Sequence, residues 1–195
     1  KSLIFNVTIN NYLSFSYPIA FEVDNIYVGE KVKDNAIKTN STFRKPFRQN
    51  FSTYESIEGH FSFNYPSIFS IQQQEFAGSE ILYHIDFKDN DQNTHGFVQV
   101  WNLPYPLQEF LERSKAASTL TYKDFSSTEI TVNNLPGYYW SYYVLSDNGK
   151  YLRGNEVFFT KNNTMYRISY FVPENVWNNK QLEIFWSIVN SFKAY

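Results

Sequence analysis

The chain contains no cysteine, three histidines, one methionine and seven glycines in 195 residues. Without cysteine there is no disulfide framework, no thiolate metal site and no cysteine nucleophile. The glycines, at positions 29, 59, 78, 96, 137, 149 and 154, are scattered. Phosphate-binding loops need closely spaced glycines so that backbone amides can approach the ligand, and neither a Walker loop nor a dinucleotide fingerprint is present. The Gly-x-Ser-x-Gly elbow of the α/β-hydrolases is also missing, as is His-Glu-x-x-His. Only His60, His84 and His95 offer an imidazole for acid–base chemistry near neutral pH. No run approaches the ~18 apolar residues that a membrane helix needs. Lys and Arg total 17 against 19 Asp and Glu, a net charge of −2, so there is no basic field of the kind duplex nucleic acid demands.

Aromatic side chains are what the chain has in abundance. Phe, Tyr and Trp make up 20% of it, within a total of 43% hydrophobic and only 18% charged residues. That balance belongs to a globular protein, and aromatics favour strands. The length suits one domain with an appendage, large enough to bury roughly 70% of its unfolded surface.

Residues 1–56 read as an N-terminal portion with strand-like runs at Leu3–Ile9, Leu13–Tyr17 and Ala20–Val28. A polar loop over 29–55 follows, carrying the basic cluster Lys31, Lys33, Lys38, Arg44, Lys45 and Arg48, diluted by Glu30 and Asp34. From residue 57 the pattern tightens. His60–Tyr65 alternates Phe61, Phe63 and Tyr65 against Ser62 and Asn64, the signature of a half-buried strand ended by Pro66. Further strands are expected at Ile68–Gln73, Glu80–Phe87, Gly96–Trp101, Glu129–Val132, Tyr138–Leu145, Tyr151–Phe159 and Met165–Val172. Asp147-Asn148-Gly149 is a hairpin signal between two of them. Pro106 opens a helix with Leu107, Phe110 and Leu111 on one face, and a second helix spans Asn179–Phe192 with Leu182, Phe185, Trp186, Val189 and Phe192 as its apolar stripe. Strand meanders interrupted by two helices imply an α+β fold, an antiparallel sheet with helices packed on it. Leu13-Ser-Phe-Ser-Tyr-Pro18 is echoed by Phe61-Ser-Phe-Asn-Tyr-Pro66, which reads either as a partial duplication of the first hairpin or as coincidence in a Phe- and Tyr-rich chain.

His60–Pro66, Leu135-Pro136-Gly137-Tyr138, Met165–Tyr170 and the closing Phe185–Lys193 together resemble the PsbP-like family. That group includes the extrinsic subunit of the photosystem oxygen-evolving complex, the Mog-type Ran-binding proteins and small bacterial lipoproteins. The resemblance covers about residues 57–195, and residues 1–56 match nothing in it. It implies an α/β/α sandwich with an antiparallel sheet of about six strands, and a non-enzymatic role in binding or assembly. It carries over no ligand residues.

Three sets of side chains are candidates for function, and the first is the basic cluster of the 29–55 loop, which could touch an anionic membrane surface or an acidic partner or simply be a solvated loop. His84 and Asp86 share a strand face, and Asp89, Asp91 and His95 crowd the turn beyond them. Such a set suits Ca²⁺, Mn²⁺ or another divalent ion, although the EF-hand spacing is missing and Asp-Asn-Asp is also ordinary turn chemistry. Tyr138, Trp140 and Tyr142 share one face of a strand, Tyr139 and Tyr143 the other, with Tyr151 on a neighbouring strand. Exposed Tyr and Trp anchor interfaces and stack on sugars; buried, they are core. The leading expectation is a non-enzymatic domain that binds a protein partner through Tyr138, Trp140, Tyr142 and Tyr151, with no nucleic acid and no required cofactor. Its expected place is extracytoplasmic, membrane-anchored or secreted, reaching a membrane only through an N-terminal anchor outside this sequence. The alternatives are a divalent-metal- or glycan-binding module and a hydrolase acting on cell-envelope glycans.

Overall fold

The computed structural model describes residues 50–76, 80–89, 94–146 and 149–195. The N-terminal strand runs, the basic cluster, the first copy of the echoed hexapeptide and Asp91 lie outside the described residues.

The described chain runs β1 (Phe51–Ser56), β2 (Phe61–Pro66), β3 (Ser70–Gln74), β4 (Ile81–Lys88), β5 (His95–Asn102), α1 (Leu107–Ala117), β6 (Lys123–Val132), β7 (Leu135–Leu145), β8 (Tyr151–Lys161), β9 (Thr164–Pro173), α2 (Asn179–Ser191) and β10 (Lys193–Ala194). β3 to β9 form a seven-stranded sheet in the order β3-β4-β5-β9-β8-β7-β6, and β1, β2 and β10 form a small second sheet. Every pairing is antiparallel. The α+β expectation holds, with seven strands in the main sheet rather than six. The strand β1 falls at the end of the stretch expected to be loop. It is an edge strand with no buried residue, and its pairing with β2 supplies the order that its own polar sequence does not signal.

Turn chemistry sets the register. Asn133 and Asn134 both adopt positive φ, 49° and 67°, between β6 and β7, and Asn162 sits at 56° between β8 and β9. Asparagine tolerates this left-handed region better than most residues, and such turns match the twist of paired strands. Gly149, at φ 74°, closes the β7–β8 hairpin, where the Ser146 amide donates to the Lys150 carbonyl. Pro106 precedes α1 rather than lying within it, with φ −59° and ψ 144°. α2 is capped by the Asn178 side chain, which accepts the Lys180 amide at 2.9 Å.

The main sheet is covered on both faces. On one, α2 and β2 bury Phe61, Phe63, Phe185, Ile188, Val189 and Phe192 against Ile85, Val98, Val157, Phe159, Ile168 and Tyr170 of the sheet. On the other, α1 lays Phe110 and Leu111 over Trp140, Tyr142, Phe158 and Met165. The parity of β9 shows the division, with Tyr166, Ile168, Tyr170 and Val172 in the first core and Met165 in the second. Aromatic rings close the first core around the end of α2. Phe192 lies 5.9 Å from Phe61, 5.3 Å from Phe159 and 5.0 Å from Tyr166, centroid to centroid. Phe185 is fully buried between Tyr139, Tyr170 and Trp186. Replacing Phe185 by Ala is expected to destabilise the protein by about 3–5 kcal/mol through lost burial and a residual cavity. Denaturant unfolding of the two proteins measures this directly.

Candidate functional site

The α1-covered face of the main sheet carries most of the interior polarity. Strand register lines its side chains up in rows. One row runs Gln72, Asp86, Phe97, Ser169, Glu156, Trp140 from β3 across to β7, and the next runs Gln74, His84, Gln99, Arg167, Phe158, Tyr138. Polar groups therefore fill the β3–β8 part of the lattice, and large apolar ones lie beneath the helix.

Glu156 is the one buried carboxylate among the described residues, 1% exposed. A buried charge persists only if paired and hydrogen-bonded. Here one oxygen accepts the Tyr142 hydroxyl at 2.5 Å. The other accepts the Ser169 hydroxyl at 2.5 Å and Arg167 Nε at 2.8 Å, with Arg167 Nη2 at 2.6 Å. The Arg167 guanidinium is itself flanked by Phe97 at 4.9 Å and Phe158 at 5.3 Å. Burial first, and then the neighbouring Glu156 charge, push the Tyr142 phenol far above its ordinary pKa.

His84 belongs to a second network whose direction is set by its end. The Trp101 indole only donates, and it donates to Gln99 Oε1 at 3.0 Å. The Gln99 amide must therefore present its NH₂ to His84 Nδ1, 2.8 Å away. Nδ1 is then an acceptor, so Nε2 carries the proton and donates to Asp86 Oδ1 at 2.7 Å. The second Asp86 oxygen accepts from Gln74 Nε2. The ring itself is packed between Phe76 and Phe97.

These contacts decide where the metal candidates stand. His84 and Asp86 are adjacent, but both nitrogens and both carboxylate oxygens are engaged within the protein. Asp89 accepts the Thr94 amide at 3.1 Å, closing its own turn. His95 stacks on Phe171, 5.3 Å between centroids, and partial burial lowers its pKa while Asp86 and Asp89 pull the other way. Asp91 lies outside the described residues. Among those described, no three His, Asp or Glu side chains converge in a way that could hold an ion. Asp86 and His95 do line a shallow cleft of about 560 Å³ at the β3 edge, together with Gln72 and Lys88.

The aromatic candidates divide. Trp140 and Tyr142 are 4% and 3% exposed and belong to the core under α1, not to a surface. The reason is parity together with the apolar stripe of α1, which needs a hydrophobic floor. Gly154 permits the arrangement, since a Cβ there would lie 2.6 Å from the Tyr142 ring. Tyr138 is half-buried in the same core. Tyr151 is 39% exposed, opposite Leu145 at 53%. Around them stand Tyr143 and three residues that the sequence did not single out. The Arg153 guanidinium lies 4.2 Å from the Trp177 ring and 5.6 Å from Tyr143. Lys123 Nζ lies 5.3 Å from Tyr151 and 5.8 Å from Tyr143. Tyr143, on the row opposite to Trp140, is thus the strand-β7 tyrosine that joins Tyr151 at the surface. The only signal for Glu156 and Arg167 in the sequence was a charge set within an otherwise apolar strand.

Chemically, the Glu156 and His84 networks are satisfied within the protein. Ser169 has a carboxylate neighbour, but it is 0% exposed and no substrate can reach its hydroxyl. The one buried carboxylate among the described residues has both oxygens occupied. Removing Glu156 strands Arg167, Ser169 and Tyr142 together. Glu156→Ala is expected to cost about 3–5 kcal/mol, and the double change Glu156→Leu with Arg167→Met less than either Glu156→Ala or Arg167→Met alone. Urea unfolding of the four proteins tests this ordering. Burial also raises the Tyr170 phenol, so Tyr142 and Tyr170 favour the fold below the ordinary tyrosine pKa of about 10 and oppose it as pH rises beyond that value. An alkaline absorbance titration is expected to show these two phenols ionising only as the protein unfolds, and a Tyr142→Phe protein to lack one of them.

A family model described as PsbP-like protein matches residues 19–194, reaching well into the N-terminal portion that the sequence motifs left unplaced. No curated protein matches the chain. Among solved structures, the solution structure of cyanobacterial PsbP (CyanoP) from Synechocystis sp. PCC 6803 superposes with a TM-score of 0.57 at 14% identity, covering 75% of this chain and 94% of that one. A protein from Bacteroides thetaiotaomicron is similar at 16% identity and a TM-score of 0.49, over 75% of this chain and 49% of its own. At these identities the first likeness speaks for the fold: an antiparallel sheet with helices on both faces. The matched family model covers most of the chain, and the chain belongs to the PsbP-like protein family.

Proposed function

We propose that this chain is a non-enzymatic binding or assembly domain, working outside the cytoplasm, that engages a protein partner through the sheet end formed by β6, β7 and β8. The observation that carries this reading is the exposed pair Leu145 and Tyr151, facing each other across the β7–β8 hairpin. Half-exposed aromatic and aliphatic side chains beside polar groups mark contact surfaces, because they release apolar area from water while their neighbours supply direction. The two satisfied polar networks support the same reading from the other side. The buried carboxylate and the buried imidazole are both consumed in holding the fold. Membership of the PsbP-like family agrees with a role in assembly.

The test is a crosslinked pull-down from the native host. The parent protein is expected to recover a stoichiometric partner. Tyr151→Ala combined with Leu145→Ser is expected to weaken its binding about tenfold or more, as loss of an interface anchor does, while leaving the unfolding midpoint close to the parent's. Unchanged affinity in that variant would move the binding surface elsewhere on the molecule. Protease accessibility on intact cells checks the extracytoplasmic setting.

A further inference from the structure

We propose that the β6–β8 end captures an acidic segment of the partner, with the Arg153 guanidinium as the residue that selects it. This rests on the binding reading above and adds the chemistry of what is bound.

The argument is a comparison of two arginines. Arg167 lies between two aromatic rings, Phe97 and Phe158, and its donor edge is completed by the Glu156 carboxylate. Arg153 is held in the same manner, with Trp177 at 4.2 Å and Tyr143 at 5.6 Å. Its edge is not completed: Nε is enclosed and has no hydrogen-bond partner, while the side chain as a whole is only part-buried. Its directly paired neighbours are Tyr143 and Val172, neither of which carries a carboxylate, and Glu174, two residues beyond Val172, forms no ion pair with it. Among the described residues Arg153 joins no ion pair, and nor does Lys123 beside it. Two cations thus stand on one patch, held by aromatic rings, with no ion-pair partner among the described residues. A guanidinium fixed by stacking presents a rigid fork of N–H donors, and the groups that match that fork are a carboxylate and a phosphate. Leu145 and Tyr151 alongside accept an apolar side chain, so the fitting segment alternates acidic with apolar or aromatic residues. The chain's net charge of −2 and the pairing of only two cations give no support to a nucleic acid or to an extended anionic surface.

The experiment uses the full chain, ¹⁵N-labelled, and two short synthetic peptides: one rich in Glu with a single Trp, the other with every Glu replaced by Gln. Vesicles containing phosphatidylglycerol serve as a third probe. The Glu peptide is expected to bind about tenfold or more tightly than the Gln peptide at low salt, as a charge-assisted bidentate pair would dictate, and to lose most of that margin at high salt. The Arg153 Nε–H and Trp177 indole signals are expected to shift on titration. Arg153→Gln should abolish the preference. Arg153→Lys, which keeps the charge and loses the fork, should retain only part of it. Equal binding of the two peptides, lost in the Tyr151→Ala and Leu145→Ser variant, would overturn the acidic assignment and leave the binding surface standing. Binding of neither peptide, or of vesicles alone, would overturn the proposal.

Discussion

Strands β8 and β9 are buried on both faces, and this double burial is the constraint on which the rest of the structure depends. A strand of this kind can expose neither row of side chains, so each row needs its own cover. α2 with the small β1-β2-β10 sheet covers one, and α1 covers the other. An ionisable group in the buried middle of these strands is taken out of water as well. Glu156 on β8 and Arg167 on β9 face each other diagonally across the central pair, where desolvation of either alone would be prohibitive. The pair is therefore tied to the position of α1: the helix makes that face dry, and dryness obliges the charges to find each other.

Aromatic side chains solve the remaining packing. Few small apolar residues are available to interdigitate finely, so rings of Phe, Tyr and Trp fill the layers, at centroid separations between 4.9 and 6.5 Å. Tilted and edge-on contacts at such distances add about 0.5–1.5 kcal/mol each beyond area burial. The cost is that hydroxyls come along with the rings. Tyr139 donates to Asn155, Tyr142 to Glu156 and Tyr170 to Gln181. The polar networks of this interior are consequences of packing with tyrosine as much as of burying charge.

Much of the architecture was legible in the sequence. The strong alternation of His60–Tyr65, the Asp-Asn-Gly hairpin and the stripes of both helices each carry a physical period that tertiary context had no reason to override. β1 and β10 were not legible, because Ser52, Thr53, Glu55 and Ser56 have no apolar period and Lys193–Ala194 is too short to have one; both are made by β2. The site was less readable than the fold. His84 and Asp86 share a face by parity, so their contact was foreseeable, but the groups that use up their lone pairs, Gln99, Trp101 and Gln74, come from other strands. On β7 both rows are aromatic, and nothing local tells Trp140 from Tyr143. Only the placement of α1 does so. Arg153 was invisible for a different reason, since what distinguishes it is the absence of a partner, and an absence has no sequence pattern.

The two arginines bear on why such an absence persists. A buried donor without an acceptor costs about 1–3 kcal/mol. This chain has shown, at Arg167, that a carboxylate on the adjacent strand removes such a cost. Directly opposite Arg153 stand Tyr143 and Val172, neither of them a carboxylate. The fold instead spends those positions on a ring that orients the guanidinium and on a core valine. Were the acceptor supplied by a partner, as proposed above, the penalty would sit in the free state and be relieved on association, so the same free energy that weakens the isolated domain would strengthen its complex.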